Sequence, residues 1–334
     1  MSIHYLETGK TDPAWNLAFE ETVLEYRKDA PYLILWQNDN TIVIGQNQNT
    51  AEEINDSFVK EYGIHVVRRM TGGGAVYHDL GNINYSFIDD AGELENLSYE
   101  RFTSAVVDAL KGLGLDACAS GRNDILVSGC KVSGTAQRLC GGRILYHGTL
   151  LFDSKPEMIA GALNADPLKF QSKSKKSVRA RIGNIRSFLQ KDMNMEEFKR
   201  YLIDCFGKAG VVHDDLNAGE LLHVSELKKN KYDTWEWNYG KSPRFTLKNK
   251  EKFDGGIIDI RADIEKGYID KIKFYGDFLS LRPLESFENA LIGTKYEKEA
   301  VRESIEDYIK YNNHRFNEYF GSIKDDEVLS VMFE

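Results

Sequence analysis

The sequence contains little cysteine, and its cysteines are not spaced as metal ligands or as a disulfide framework. Four cysteines occur in 334 residues, at positions 118, 130, 140 and 205. They form no CxxC pair, and no histidine stands near them at the spacing of a zinc site. The pattern argues against a structural zinc site and a disulfide scaffold, and it predicts four reduced thiols.

The sequence also lacks a long apolar run. No stretch approaches the ~18 residues that a membrane-spanning helix needs. Residues 1–15 include Glu7, Asp12 and Pro13, where a signal or transit peptide would be apolar or arginine-rich. We therefore expect a cytoplasmic protein with no membrane segment.

Basic residues are fewer than acidic residues. Lysine and arginine total 43 against 52 aspartate and glutamate, for a net charge of −9. Such a chain is not built to coat nucleic acid, so any anion-binding site must be local. The hydrophobic content of 42% is enough for a core, and 334 residues suggest about two domains at roughly 150 residues each.

The first part of the chain alternates short β-type runs with helices. Asp12 and Pro13 supply an N-cap and a favoured first residue for a helix that carries Leu17 and Leu24. Strands are predicted at residues 3–6, 32–36, 41–45, 64–67, 75–77 and 82–88, and helices at 57–62 and 99–113. The polar cluster 38–40 predicts a turn that pairs strand 32–36 with strand 41–45.

The second part of the chain begins with a hairpin. Strands are expected at 125–127, 131–140 and 143–152, with the pair Gly141 and Gly142 as the tip of the last hairpin. A helix is expected at 195–206. Beyond the aromatic and glycine-rich stretch 235–243 we expect strands at 244–247, 256–262 and 268–275, and helices at 284–292 and 297–311.

These elements predict an α/β fold in two domains. Residues 1–243 would form the larger domain, with a mixed, mainly antiparallel sheet flanked by helices. Residues 244–334 would form a small α+β accessory domain with a short sheet and two helices.

Three consecutive glycines mark the strongest motif, within residues 68–82. Gly72, Gly73 and Gly74 permit positive φ angles and leave backbone N–H groups uncovered, as an anion-binding turn requires. Arg69 could add a planar donor fork for a phosphate or carboxylate. The alternative is a flexible hairpin tip with solvated arginines; the nearby His78, with Asp79 and Asn82, favours a site.

A second polar cluster surrounds Lys131. Residues 121–124 lead to a strand in which Ser133, Gly134 and Ala136 are small enough to let a ligand approach the backbone. Taken alone, Lys131 suits a solvated strand-end lysine. In the same way, His147 suits an ordinary half-buried histidine.

At these clusters the sequence resembles the lipoate-protein ligases, whose superfamily also contains biotin protein ligases and octanoyltransferases. Residues 68–82 match RRxTGGGAVxHDxGN, 121–124 match GRND, 131–136 match KxSGxA, and 147–151 match HGTLL. Asn16 with Glu20, segment 177–184 and segment 235–238 continue the likeness. The resemblance therefore spans both predicted domains and implies the biotin/lipoate ligase catalytic fold.

The resemblance implies a two-step reaction. ATP would activate free lipoate, or octanoate, to lipoyl-AMP and pyrophosphate, and the acyl group would pass to one lysine of an acceptor lipoyl domain. The implied cofactors and substrates are ATP, Mg²⁺ and lipoic acid. The implied partners are lipoyl domains of 2-oxoacid dehydrogenase complexes or the glycine cleavage H protein, and the enzyme would be a monomer that binds neither nucleic acid nor membrane.

The resemblance also assigns site residues. Lys131 and Arg69 would be catalytic. The adenylate site would comprise Arg69, Gly74, Ala75, Val76, Tyr77, Asn82, Asp124, Lys131 and Arg179, with Asp124 as the candidate Mg²⁺ ligand. The lipoate site would comprise Leu17, Phe19, Arg69, Thr71, Gly72, Gly73, His78, Lys131, Ala136 and His147. Val43 is a further candidate there, although a core position suits it better.

The segment 169–181 carries six cations and no acid. It suits a solvated basic loop, and beside an adenylate site it also suits a lid that excludes water from the anhydride.

Two alternative functions remain open from the sequence. An ATP-independent acyltransferase on the same fold would use a cysteine nucleophile, for which Cys118 and Cys130 are the candidates. A non-catalytic protein would hold lipoate without activating it. The sequence does not indicate the acceptor, the preference between lipoate and octanoate, or the base that deprotonates the acceptor lysine.

Overall fold

The computed structural model describes residues 2–92, 100–121, 123–163, 182–239 and 247–333. In chain order its strands and helices are β1 (Ile3–Glu7), α1 (Pro13–Tyr26), β2 (Tyr32–Trp36), β3 (Thr41–Ile44), α2 (Thr50–Glu53), α3 (Asp56–Glu61), β4 (His65–Arg68), β5 (Val76–His78), β6 (Asn82–Asp90), α4 (Glu100–Gly112), β7 (Ala117–Ser120), β8 (Asp124–Val127), β9 (Cys130–Cys140), β10 (Arg143–Leu151), α5 (Pro156–Ala162), α6 (Met195–Phe206), β11 (Val211–His213), α7 (Ala218–Leu227), α8 (Trp235–Asn238), β12 (Leu247–Phe253), β13 (Gly256–Glu265), β14 (Tyr268–Gly276), α9 (Glu285–Leu291), α10 (Lys298–Tyr311), α11 (Asn317–Phe320) and α12 (Asp325–Phe333). The basic segment 169–181, with Arg179, lies outside the described residues, as does Arg122.

Within the part of the chain that the structure describes, the largest sheet has eight strands in the order β11-β1-β2-β6-β10-β9-β8-β7. The pairs of β1 with β11 and with β2 are parallel. The pairs from β2 onward are antiparallel. The prediction of a mixed, mainly antiparallel sheet is confirmed.

Side-chain alternation along β2 shows how the sheet is covered on both faces. Leu33 and Leu35 join a core that contains residues of α4 and α6. Tyr32, Ile34 and Trp36 point the other way, into a core that contains residues of α1 and α7. A strand with five buried residues therefore separates two layers of helices, as an apolar run of this kind requires.

Helix α1 begins where the sequence predicts. The Asp12 carboxylate accepts hydrogen bonds from the backbone N–H groups of Ala14 and Trp15, and Pro13 occupies the first turn. The buried positions of this helix include polar Asn16 and Glu20 as well as Leu17. Helix α1 thus brings polar groups to the interior.

The predicted pairing of strand 32–36 with strand 41–45 is wrong. β3 belongs to a separate three-stranded sheet, in the order β4-β3-β5, and does not pair with β2. The linker does not form an exposed hairpin turn because Asn38 is fully buried, with its side chain bonded to Asn16 and His78. The chain therefore leaves the large sheet at this point.

The glycine segment 72–74 connects β4 to β5, which lie on opposite sides of β3. It is therefore not the tip of a hairpin. Of the three glycines, Gly73 has a positive φ, at 88°. The predicted hairpin of β9 and β10 is confirmed, with Gly141 and Gly142 at φ angles of 53° and 78°. The short strand β7, which pairs with β8, was not predicted.

The C-terminal part has its own core. Strands β12, β13 and β14 form an antiparallel sheet, and its buried residues pack with those of α9, α10 and α12. Of the predicted strand 244–247, residues 244–246 lie outside the described residues, and β12 spans Leu247–Phe253. The sequence of β12, LKNKEKF, is too polar to predict a strand over its full length. Helices α11 and α12 add to the two helices predicted.

A loop of the C-terminal part contacts the glycine segment directly. The Gly73 N–H donates to the Phe278 carbonyl oxygen at 3.3 Å, and the Asn47 side chain donates to Ser280 Oγ at 2.8 Å. A Cβ on Gly72 would lie 2.7 Å from the Phe278 oxygen and 2.9 Å from the Ser280 nitrogen. Gly72 is therefore required by the close approach of two backbones.

No helix among the described residues combines the length and the apolar character of a membrane span.

This close approach predicts a stability difference within the glycine segment. Gly72→Ala should lower the free energy of unfolding by about 1–3 kcal/mol, because backbone atoms have to move to admit the methyl group. Gly74→Ala is the matched control, since a Cβ there meets nothing within 4 Å. Thermal and denaturant unfolding of both variants would test this. Equal stabilities of the two variants would contradict it.

Candidate active site

A cleft of about 600 Å³, counting the part open to solvent, lies where α1, the small sheet and the large sheet meet. Nine of the predicted site residues line it: Leu17, Arg69, Gly74, Ala75, Val76, His78, Lys131, Ala136 and His147. These residues come from widely separated parts of the chain. The cleft therefore joins the glycine segment to Lys131, as the predicted chemistry requires.

Two cationic side chains, Arg69 and Lys131, line the cleft of this acidic protein. None of the described residues that line the cleft is acidic, and Asp124 lies at its edge, where it pairs with Lys131. Two cations in one cleft favour a ligand that carries negative charge.

Lys131 lies near the start of β9, at the open part of the cleft. Its Nζ is 2.6 Å from Asp124 Oδ1, and the two side chains are 38% and 35% exposed. The neighbouring Gly134 has no side chain, and a Cβ there would lie 3.5 Å from the Lys131 Nζ. The ammonium group is therefore paired, partly solvated and adjacent to bare backbone, which differs from a freely solvated strand-end lysine.

Arg69 braces the glycine segment. Its Nη2 donates to the carbonyl oxygens of Gly72 and Gly74 at 2.6 and 2.9 Å, and its Nη1 donates to the Val43 oxygen at 3.2 Å. Burial lowers the pKa of Arg69 to about 10, so the guanidinium remains charged at neutral pH. The sequence suggested a donor fork for the ligand, whereas most of these N–H groups bond to the protein backbone.

A chain of buried polar groups connects Arg69 to helix α1. Arg69 Nε donates to Thr71 Oγ1 at 2.9 Å, and Thr71 Oγ1 lies 2.8 Å from His147 Nε2. His147 Nδ1 lies 2.8 Å from Glu20 Oε1. In the neutral ring, therefore, Nδ1 carries the proton toward the carboxylate, and Nε2 accepts the threonine hydroxyl.

Glu20 is a residue of this network that the sequence analysis did not assign to the site. It also accepts a hydrogen bond from Ser86 Oγ at 2.5 Å, and that hydroxyl accepts one from Trp36 Nε1 at 2.9 Å. The sequence feature that could have identified Glu20 is its pairing with Asn16, which lies four residues earlier on the same side of α1 among apolar residues. The cleft is also lined by residues outside the predicted set, namely Trp36, Asn84, Asn123, Gly134, Thr135, Gly148 and Thr149.

Several predicted residues do not line the cleft. Phe19 is part of the apolar core beside α1. Tyr77 packs in the small sheet, where its hydroxyl donates to Asn40 and burial raises its pKa to about 12. Asn82 is fully buried, and its side-chain amide donates to Asn84 Oδ1 at 3.0 Å. Asn84, and not Asn82, lines the cleft.

Gly72 and Gly73 face the C-terminal loop, while Val43 is both buried in the core and part of the cleft wall. Asp124 reaches the cleft through its contact with Lys131. Arg179 lies outside the described residues.

No group of three or more potential metal ligands occurs among the described residues. Asp124 offers one partly exposed carboxylate beside Lys131, and a carboxylate oxygen is a donor that Mg²⁺ accepts.

Comparison with known families gives the decisive observation. The family model described as "Lipoyl protein ligase A/B catalytic domain" matches residues 12–207, and the one described as "Bacterial lipoate protein ligase C-terminus" matches residues 242–332. The lipoate-protein ligase LplJ of Bacillus subtilis is 40% identical over 329 residues, covering 96% of this chain and 97% of the relative. The chain belongs to the lipoate-protein ligase family.

Solved structures agree with the family assignment. LipL1 of P. falciparum in complex with lipoate has a TM-score of 0.79 and 25% identity over 93% of this chain and 98% of that chain. A lipoate-protein ligase A bound with ATP has a TM-score of 0.63 and 29% identity over 72% and 99%. A bipartite ligase from Thermoplasma acidophilum, reported together with its E2 lipoyl domain, has a TM-score of 0.64 and 31% identity over 74% and 98%.

These comparisons confirm the predicted enzyme class, an ATP-dependent lipoate-protein ligase on the biotin/lipoate ligase fold. The match to the ligase C-terminus and the full-length likeness to a named ligase favour this class over the two alternatives.

The bracing of the turn by Arg69 predicts that charge alone is not enough at this position. Arg69→Lys should lower kcat/KM for acyl activation by about 10–100-fold, because an ammonium cannot hold the two glycine carbonyl groups with a planar fork. The measurement is steady-state activation of lipoate with ATP.

Arg68→Lys is the matched control. Arg68 is equally buried, but it bonds to the carbonyl groups of Gly45, Gln46 and Gln48 and does not line the cleft. That variant should lose stability and keep the activity of the folded enzyme. A fully active Arg69→Lys enzyme would exclude the bracing role.

Proposed function

We propose that this cleft activates free lipoate or octanoate with ATP to an acyl adenylate and then transfers the acyl group to a lysine of an acceptor lipoyl domain. The observation that supports this most directly is the position of Lys131. Its ammonium group pairs with Asp124 and lies at the partly exposed end of a cleft that has apolar walls and the uncovered backbone of Gly74.

The first step brings two anions together. A carboxylate oxygen of the acid attacks the α-phosphorus of ATP, the new C–O–P anhydride forms, and the bond to pyrophosphate breaks. Lys131 and the backbone N–H groups of residues 74–76 offset the repulsion and the charge that develops on the α-phosphoryl oxygens. When Mg²⁺ accompanies ATP it neutralises phosphate charge, and Asp124 is the side chain that would hold it.

The second step releases AMP. The acceptor amine, with an ordinary pKa of ~10.4, must lose a proton before its nitrogen attacks the acyl carbon. As the amide bond forms, negative charge gathers on the acyl oxygen, and the bond to AMP breaks. A single ammonium group placed between the acyl oxygen and the α-phosphate serves both steps, and we assign this role to Lys131.

Acid and nucleotide are proposed to occupy different parts of the cleft. Leu17, Val43, Val76 and Ala136 give the buried part apolar walls that suit an aliphatic chain. The strand end at Lys131, with Asn123, suits the phosphate end of the nucleotide.

The acceptor and the domain division are also proposals. The Thermoplasma ligase reported with its E2 lipoyl domain supports an acceptor of the lipoyl-domain type, either in a 2-oxoacid dehydrogenase complex or as the glycine cleavage H protein. A division near residue 243 is supported by the separate core of the C-terminal part and by family matches that end at 207 and resume at 242. We further propose a monomeric, cytoplasmic enzyme.

Lipoate-dependent exchange of labelled pyrophosphate into ATP tests the first step directly. The wild-type chain should catalyse it, and Lys131→Met should reduce it by about 10²–10³-fold, because a charge-stabilising donor is lost at the reacting phosphate. Lys131→Arg should recover only part of the rate because the guanidinium is larger and planar.

Lys60→Met is the control, since Lys60 is an exposed lysine that pairs with Asp56 on α3. Lipoate binding without any exchange would support the non-catalytic alternative. Exchange that is abolished by Cys118→Ser would instead support a thiol-dependent mechanism, for which the geometry gives no support because Cys118 is not among the residues lining the cleft.

A further inference from the structure

The large sheet has an open edge close to Lys131. β7 is the last strand in the sheet order, and no strand among the described residues pairs with its outer side. Cys118 and Ala119, in the middle of β7, are both exposed. One face of the strand is covered, since Ala117 is buried in the core that contains residues of α4. The outer side of β7 is therefore accessible to a partner within the part of the chain that the structure describes.

The hydrogen-bond pattern shows which backbone groups face this edge. The Ser128 N–H donates to the Asp116 carbonyl oxygen at 2.9 Å, so every second residue from there on, including Cys118, bonds to β8. Ala119 lies between two such positions. Its N–H and C=O groups therefore point away from β8, where one residue of an added strand could bond to both.

β7 lacks the features that usually prevent an edge strand from pairing. Its sequence, ACAS, contains no charged residue and no proline. By contrast β12, an edge of the C-terminal sheet, carries exposed lysines at the alternate positions Lys248, Lys250 and Lys252. Lysines in this arrangement discourage pairing with another chain. The molecule therefore protects the edge at β12 and leaves the edge at β7 open.

The register connects this edge to the proposed catalytic lysine. Cys118 pairs with Leu126, which pairs with Lys131, so the three side chains share one face of the sheet. This is the face that forms the cleft, since Ala117 and Val127 belong to the core on the opposite face. A side chain at the same level of an added strand would point to the cleft face as well.

Strand spacing decides which end of the sheet is within reach of Lys131. With strands about 4.8 Å apart, a strand added to β7 lies three spacings, or about 14 Å, from β9. A strand added to β11, at the other end, would lie six spacings, or about 29 Å, from β9. An extended lysine side chain spans about 6 Å from Cα to Nζ. Lys131 and a lysine on the added strand together therefore cover most of the distance at β7 and less than half of it at β11.

We propose that the open edge of β7 is the docking site for the acceptor. An extended segment of the acceptor lipoyl domain pairs with β7 through two hydrogen bonds to the backbone of Ala119, and the reactive lysine then lies on the cleft face, within reach of an acyl group held at Lys131. The proposal rests on the proposed function and deepens it by assigning how the protein substrate is bound. Backbone pairing reads little sequence, so the distance between the lysine and the paired segment selects the lysine that is modified.

The first test measures the two steps separately. Ala119→Pro removes the N–H that faces the edge and keeps the bonds between β7 and β8, since proline is tolerated at an edge position whose N–H points outward. It should lower kcat/KM for transfer to an apo E2 lipoyl domain by about 10-fold, because one backbone bond is lost and the ring obstructs pairing. Lipoate-dependent pyrophosphate exchange, which needs no acceptor, should keep the wild-type rate. Ala119→Ser is the matched control, since it retains the N–H and should transfer at the wild-type rate.

Hydrogen exchange provides a second test that needs no variant of the enzyme. The full-length wild-type chain, loaded with a non-hydrolysable lipoyl-adenylate analogue, is mixed with an E2 lipoyl domain whose acceptor lysine is replaced by arginine. The amide of Ala119 should exchange about 10-fold more slowly in this complex, because its N–H is then hydrogen-bonded. The amides of β11, at the far end of the same sheet, should exchange as in the free enzyme.

The outcomes separate the docking proposal from the proposed function. Unimpaired transfer by Ala119→Pro, or an Ala119 amide that the acceptor does not protect, would overturn the docking site. Protection that appears without acceptor and increases with enzyme concentration would assign the edge to a second copy of the chain and would also overturn it. If Ala119→Pro lost exchange and transfer equally, the loss would be structural and the hydrogen-exchange result would decide. Absence of pyrophosphate exchange in the wild-type enzyme would instead refute the proposed function.

Discussion

The site depends on a buried guanidinium that is held by backbone carbonyl groups. Among the described residues Arg69 forms no ion pair, and its charge is solvated by the oxygens of Val43, Gly72 and Gly74. Burying a charge in this way is tolerable only when its donors are satisfied, so the arginine and the turn fix each other. The glycine turn therefore sets the position of the backbone of residues 74–76, which lines the cleft.

This arrangement separates two kinds of positive charge. Arg69 is immobile, buried and directed at the protein, whereas Lys131 is partly solvated and pairs with a carboxylate that can be exchanged for a ligand. In the proposed mechanism the fixed charge favours anions in the cleft, and the lysine ammonium group follows the charge from one reacting oxygen to another. On this proposal an acidic protein keeps a local site for two mutually repelling anions.

The C-terminal part contributes to the same turn. Phe278 and Ser280 approach Gly72 and Gly73 so closely that only glycine fits at position 72. The three glycines therefore meet two different requirements. Gly74 leaves the backbone uncovered where it lines the cleft, whereas Gly72 allows the close contact with the backbone of the C-terminal part.

The sequence predicted six of the eight strands of the large sheet and missed β7 and β11, because strands of four and three residues carry too little pattern to be recognised. It failed at the polar cluster 38–40, which is typical of a turn, because Asn38 is buried and bonds to Asn16 of α1 and His78 of β5. Local composition does not reveal such tertiary hydrogen bonds. The same limitation concealed Glu20, which looks like an exposed helix residue until its contact with His147 is seen. The resemblance assigned Phe19 and Tyr77 to the site, and in the structure their side chains pack in cores.

The most direct test of the account is a crystal structure of the enzyme with a non-hydrolysable lipoyl-adenylate analogue. We expect Lys131 Nζ to leave Asp124 and to lie within about 3.2 Å of both the acyl oxygen and an α-phosphate oxygen of the analogue. An analogue bound with its acyl–phosphate link out of reach of Lys131 would contradict the assignment of one ammonium group to both steps.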